Sequence, residues 1–412
     1  MFRRLKNKEN GAQLIPVFKK PERRLLSVFM AVLEIIPEYR GFSLKNFGYN
    51  SGKTANYKSF MEPVFDLGKE QNGRPDGLLV CSRGNSTWAM FIEAKCGNSH
   101  VRSEQMQGYM ELAQTLEVNC VLSISNEFVN TPTELTYHVA SNRRKGREVF
   151  HVSWSFIVAE THLFLENNSE LSSVEVGILE ELLRYFANKD NGVSTFDQMP
   201  TMWPEFVDFS KTMTGFTANT KGVSEVVNAW HQEVRDLGLK LGRACSDRVN
   251  LKLPIKCRKD PKERLKSDRD LLTKEYLMRA DYQLPGQKRE LRILVDLKAC
   301  SIGCILSFPP PPDKKAKACV TWLTKVLNEL ENRKLRIIAK WPGRGVDSNT
   351  EIEHLLHYPE EFCEDQKEAP TELMLLSAFQ DVRKFKSRKQ FIAELEKAAL
   401  SLITLGQERN LI

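Results

Sequence analysis

The sequence predicts an α/β fold for the N-terminal half, a central mixed sheet flanked by helices, followed by a smaller α+β domain. Three observations lead there. Two apolar runs, Leu78–Cys81 and Ala89–Ile92, flank a Gly-Asn pair, and a helix-period stretch and a β-rich run, Val118–Ile124, follow them. Between Asn188 and Pro204 the periodicity gives way to turn residues. Beyond Asp247, three β-patterned stretches precede an amphipathic helix and one more strand. These breaks divide the chain into residues 1–195, a linker and bridging helix over 196–246, and a domain over 247–412.

In chain order, residues 1–20 form a basic arm. Glu22–Ile36 is a helix with an apolar stripe at Leu25, Phe29, Val32 and Ile36, and Pro37 ends it. Gly48–Thr54 resembles a phosphate loop, but only three residues separate its glycines where the motif needs four; Lys53 remains a phosphate candidate and an ATPase is not supported. Glu62–Leu67 is expected as the first strand and Glu62 as a weaker metal candidate. The hairpin, a helix from about Ser103, the strands Val118–Ile124 and Val149–Val152, and helices at Trp154–Phe164 and Val174–Ala187 complete the first domain. Asn142–Arg147 is a basic loop, a candidate phosphate contact or a solvated turn.

Val223–Cys245 carries a helical stripe at Val226, Val227, Trp230, Val234, Leu237 and Leu241. Glu275–Gln283, Arg289–Leu297 and Gly303–Phe308 are expected as a small antiparallel sheet, Lys314–Glu331 as a helix and Leu335–Trp341 as a fourth strand. Together they make a self-sufficient module. Glu351–Glu368 is irregular and acidic, and the tail Glu372–Leu405 is expected to be helical, with a basic patch at Arg383–Lys389.

At 412 residues the chain is long enough for two or three domains, and 41% apolar content is enough for packed cores. No run of eighteen apolar residues points to a membrane span. The basic start lacks the apolar segment of a secretory signal, and the nine cysteines are scattered singly, which speaks against zinc and for a reduced, cytoplasmic chain. The net charge of +7 is unevenly placed. Residues 1–60 hold twelve Lys or Arg against four Asp or Glu, and residues 61–200 hold eleven against nineteen. An acidic middle between basic flanks fits a phosphodiester substrate held by the flanks; ordinary surface charge gives the same numbers.

The chemistry concentrates in residues 73–109. If Gly84 and Asn85 form the hairpin turn, Arg83 faces Ser86 and, counting back along both strands, Asp76 faces Glu93. Directly opposed carboxylates repel unless a cation or a proton lies between them. Lys95 projects from the same face as Glu93. Oxygen ligands of this kind suit Mg²⁺ or Mn²⁺, and a lysine beside them can orient a water or stabilise a developing phosphorane charge. Gln105 and Tyr109, four apart, share one helical face.

Pro75-Asp76, Glu93-Ala94-Lys95 and Gln105-x-x-x-Tyr109, in that order, resemble the PD-(D/E)xK nuclease superfamily in its branch with a RecB-like QxxxY motif. The resemblance covers residues 73–109 in detail and residues 1–190 in layout. It implies a restriction-endonuclease-like sheet, metal-dependent hydrolysis of DNA (RNA not excluded), and Gln105 and Tyr109 positioning the substrate strand. It also implies an acidic residue from the first helix at the metal, which is where Glu34 sits. Stand-alone members often serve bacterial restriction or anti-phage defence. A nuclease-like scaffold that binds nucleic acid or protein without cutting is the alternative. A charged hairpin edge beside an ordinary helix is the plainest one. Asp281 and Asp296-Leu297-Lys298 imitate the signature, but no Gln/Tyr pair follows them, and an ordinary strand face is the default. Residues 247–412 carry no chemical motif and are expected to serve recognition, regulation or self-association.

Overall fold

A computed structural model describes residues 4–7, 10–50, 55–67, 73–84, 86–129, 131–140, 146–212, 217, 220, 222–330, 335–343 and 346–412. The chain divides into two compact units, Met1–Thr195 and Phe196–Ile412. Lys53 and most of the 142–147 loop lie outside the described residues, as does Asn85 of the hairpin turn.

The first unit opens with helices α1 (Pro21–Ile35) and α2 (Pro37–Lys45). Pro37 ends α1 as expected, and it also starts α2, because proline at the first helical position loses no hydrogen bond. The strands are β1 (Asn56–Met61), β2 (Gly77–Arg83), β3 (Ser86–Ala94), β4 (Cys120–Ser125) and β5 (Glu148–Ser153). Among the described residues they form a mixed sheet in the order β1-β2-β3-β4-β5. The first three are antiparallel; β3, β4 and β5 run parallel. Helix α3 (Ser103–Leu116) makes the crossover from β3 to β4, and α4 (Trp154–Asn167) and α5 (Ser173–Ala187) follow β5.

Both faces of this sheet are covered. Leu79, Met90, Ile92 and Leu122 pack with α1, α4 and α5, while Leu78, Phe91 and Val121 pack with Met106, Tyr109 and Met110 of α3. Burial on both sides explains why β3 and β4 read as apolar runs rather than alternating patterns. The first strand is not Glu62–Leu67. It lies just before, where Tyr57, Phe60 and Met61 supply strand-forming side chains. Glu62 itself sits at φ 47°, which ends the strand, and Pro63 follows it.

The second unit contains α6 (Trp203–Phe209), α7 (Val223–Ala244), β6 (Asn250–Leu251), α8 (Ile255–Lys259), α9 (Pro261–Glu275), β7 (Leu277–Gln283), β8 (Glu290–Asp296), β9 (Ser301–Phe308) and α10 (Ala316–Leu327). It continues through β10 (Leu335–Lys340), β11 (Ser348–Glu351), α11 (Ile352–His357), α12 (Pro359–Phe362), β12 (Glu372–Gln380), α13 (Val382–Lys386) and α14 (Arg388–Glu408). Among the described residues these strands form a seven-stranded antiparallel sheet, β11-β10-β12-β9-β8-β7-β6. At 217 residues by its boundaries this unit is the larger one, not a smaller appendage. Met199, Trp203, Val226 and Trp230 belong to its core, so the segment expected as linker and bridging helix is built into it.

Two further expectations fail here. Glu372–Gln380 is a strand, not the start of the helical tail; β12 inserts between β9 and β10. Its Leu-Met-Leu-Leu run suits a helix or a buried strand equally well, and its partners lie tens of residues away in sequence. The β-β-β-α-β stretch is therefore not self-sufficient. The acidic segment 351–368 is also not irregular, since it carries α11 and α12. The Asp281/Asp296 imitation does not assemble: Asp281 is paired with Arg292 and Asp296 with Leu277, and Asp281 is ion-paired to Arg279 and Arg292.

The strand reading of 372–380 is testable by truncation. Leu375 is buried and Leu376 only half-buried. Leu375→Ala should cost about 2–5 kcal/mol in urea denaturation, well above the cost of Leu376→Ala. Equal costs at the two positions would count against β12.

Candidate active site

The hairpin register is the one that the turn residues imply. Arg83 pairs with Ser86 and Gly77 with Ile92, so Asp76, one residue before β2, comes to face Glu93. Gly84 supplies the positive φ, 56°, that a two-residue turn needs. Asp76 shares its face with Leu78 and Val80, and Glu93 shares its face with Ala89 and Phe91, so both carboxylates turn toward the α3 side of the sheet.

Glu93 is 1% exposed and collects three donors. The Lys95 ammonium meets Oε1 and the Gln105 amide donates to the same oxygen at 2.7 Å. The Tyr109 hydroxyl reaches Oε2 at 2.8 Å and also lies 2.9 Å from the Arg74 carbonyl. The Gln105 amide also donates to the Tyr109 hydroxyl at 2.9 Å, which ties the i, i+4 pair together. Burial, then the Glu93 charge, push the Tyr109 phenol far above its ordinary value, so it keeps its proton and acts as a donor. Gly73, at φ 88°, passes beside the Tyr109 ring, where an added Cβ would stand 3.1 Å from Cε1. A carboxylate offers about four acceptor sites, so three donors leave room for one more partner.

Asp76 accepts the Ala94 N–H at 3.0 Å. Burial, and then the Glu93 charge facing it, push its carboxyl up to about 7. Two carboxylates this close, one of them strained toward protonation, form a donor set for a hard cation. Mg²⁺ or Mn²⁺ is the class of ion that such a pair could hold. Lys95, at 19% side-chain exposure, is the more open member of the group.

The structure thus brings Asp76, Glu93, Lys95, Gln105 and Tyr109 together. It does not bring Glu34 with them. Glu34 is exposed and accepts a 2.6 Å hydrogen bond from Ser59 on β1. Among the described residues, it forms no carboxylate cluster with Asp76 and Glu93. Glu62 is held by Arg23 at 2.6 Å and by Arg74 at 3.2 Å. Sequence reasoning missed the backbone supports. Trp154 donates from its indole to the Lys95 carbonyl at 2.7 Å, and the Lys95 N–H bonds to the Ile124 carbonyl at 2.8 Å. A tryptophan so far along the chain gives no local signal of that role.

No family model, curated protein or solved structure matches the chain. Among the described residues no helix is long and apolar enough to cross a membrane.

The raised Asp76 value makes stability pH-dependent. The unfolded chain releases this proton near 3.8 and the folded chain at about 7. Between those values only the folded state holds the proton, so the stabilisation present at low pH is lost as pH rises through about 7. In metal-free buffer Asp76→Asn should be more stable than wild type at pH 8, by about 2–4 kcal/mol. The gap should shrink toward pH 5. A gap independent of pH in urea denaturation would contradict the buried, facing pair.

Proposed function

We propose that the first unit is a metal-dependent nuclease that hydrolyses phosphodiester bonds of DNA. The observation that carries this reading is the convergence of Lys95, Gln105 and Tyr109 on Glu93, with Asp76 facing it. A purely structural hairpin has no use for two buried carboxylates on one face, since burying like charges together costs stability.

Asp76 and Glu93 would hold the Mg²⁺ or Mn²⁺, which when bound supplies a Lewis acid for the phosphoryl oxygen and lowers the pKa of its water. Gln105 and Tyr109 fix the rotamer of Glu93 by donating to it. Their bonds to the carboxylate make them positioning residues, whereas the motif alone would put them on the substrate strand. Lys95, anchored through its backbone by Ile124 and Trp154, sets its ammonium against Glu93 Oε1, where it stays partly exposed. There it holds the attacking water and stabilises charge developing on the phosphoryl oxygens. The second unit would serve target recognition, regulation or self-association. A role in restriction or anti-phage defence extends the same reading.

One observation favours a scaffold that binds without cutting. Asp76 and Glu93 are both buried, Glu93 almost fully enclosed, which limits the approach of a phosphate. A cleavage assay separates the two readings. Wild type and Lys95→Ala would be given linear and circular DNA, single- and double-stranded, and RNA, each with Mg²⁺, Mn²⁺ or EDTA. Metal-dependent cutting by wild type, reduced at least about 100-fold in Lys95→Ala, is expected. Full cleavage by Lys95→Ala would remove the assigned role. No cutting by wild type under any of these conditions would favour the scaffold.

A further inference from the structure

A second group of carboxylates, in the second unit and outside the nuclease reading, has an unusual deficit. Glu233 lies in the middle of α7 at 0% exposure, and neither of its carboxylate oxygens has a hydrogen-bond partner among the described residues. A buried carboxylate without a partner is among the costliest arrangements in a protein interior. Its neighbours are acidic. Asp236, three residues on and 1% exposed, lies on the same side of α7, and Glu396 approaches from α14. One oxygen from each of Glu233, Asp236 and Glu396 lies within 4.8 Å of the others.

Lys240 meets part of this charge. Its ammonium is 2.8 Å from Asp236 Oδ2 and 2.6 Å from Glu396 Oε1. The Phe196 N–H donates to the same Asp236 oxygen at 3.0 Å. These bonds use one oxygen of Asp236 and one of Glu396, and none reaches Glu233. With all three acids ionised, the one ammonium in contact leaves two negative charges unmatched at close range, the charge of a single divalent ion, while Arg243 acts on Asp236 and Glu396 only through its field.

We propose that Glu233, Asp236 and Glu396 bind a divalent cation of the Ca²⁺ class as a structural site of the second unit. The donor set is all carboxylate oxygen, which suits hard cations and gives no His or Cys for zinc. The spacing is compatible with oxygens on either side of an ion that takes ligands at about 2.3–2.6 Å. Mg²⁺ sheds water reluctantly, and a group this deeply buried has little space for a hydrated ion, so Ca²⁺ or the similarly ligated Mn²⁺ fits better. Glu396 is the most exposed of the three and provides the entry side. Through Asp236 and the Phe196 N–H, the ion would join α7, α14 and the first residue of the unit. Glu233 in its neutral, protonated form is the competing account of the same geometry, because burial, followed by the charges of Glu396 and Asp236, pushes its carboxyl well up.

The test uses the full chain carrying Asp76→Asn, so that the N-terminal carboxylates do not contribute. Calorimetric titration with Ca²⁺ and with Mn²⁺ should give one site, and the melting temperature should rise with ion concentration, since an ion that binds only the folded state stabilises it by mass action. Adding Glu233→Gln should abolish both effects. This chain should still fold and be at least as stable without ion, because the amide removes a buried charge. Glu396→Gln, at the exposed rim, should weaken the site at least about tenfold and guards against a folding defect at position 233. A flat titration and an unmoved melting temperature in the Asp76→Asn chain would overturn the proposal and leave Glu233 as a buried neutral acid. Binding that survives both Glu233→Gln and Glu396→Gln would place the ion elsewhere and overturn it equally.

Discussion

The arrangement of the first unit turns on the two carboxylates that its hairpin forces to face each other. Asp76 and Glu93 meet because the turn at Gly84 fixes the register and the pleat puts both on one side. Two facing carboxylates repel when both are ionised. The surroundings answer that repulsion unequally: Lys95, Gln105 and Tyr109 all contact Glu93, whereas Asp76 receives one backbone N–H and the field of the Lys95 ammonium. The asymmetry keeps Glu93 in a fixed place and leaves Asp76 as the member of the pair that burial and the facing charge drive toward its protonated form. The double-covered sheet supplies the burial behind that shift.

The same physics recurs in the second unit with a different answer. Around Glu233 the fold supplies one lysine for three acids and no donor for Glu233 itself. In the first unit the compensating groups lie on a neighbouring helix and on the strand itself, close in sequence to the acids. In the second, α7 and α14 contribute acids from positions more than 150 residues apart. Lys240 compensates Asp236 locally, four residues on along α7, but its second partner, Glu396, comes from the far end of the chain.

Legibility in the sequence followed this distinction between near and far. The turn at Gly84, the facing of Asp76 and Glu93, and the i, i+4 pair of Gln105 and Tyr109 are consequences of short-range spacing, and counting residues was enough to place them. Glu34 was carried by resemblance alone, and its helix presents it to Ser59 instead. Trp154, which anchors Lys95, was invisible because its partner is a main-chain carbonyl 59 residues away. Strand β12 was missed for the same reason: Leu373–Leu376 satisfies a helix or a buried strand, and only its two distant neighbours decide between them. The α2 helix was missed because Pro37 signals an end more loudly than a beginning.

The place of β12 also sets an order of events during synthesis. In the first unit each strand pairs with the one made just before it, so its sheet can close as the chain leaves the ribosome. In the second, β9 and β10 are complete long before the strand that belongs between them has emerged. Until residue 380 is out, both carry an unsatisfied edge, with apolar side chains such as Ile302 and Ile337 waiting for cover. A nascent chain paused in that interval would be the species most prone to pair with a neighbour's strand, and the one with most need of a chaperone.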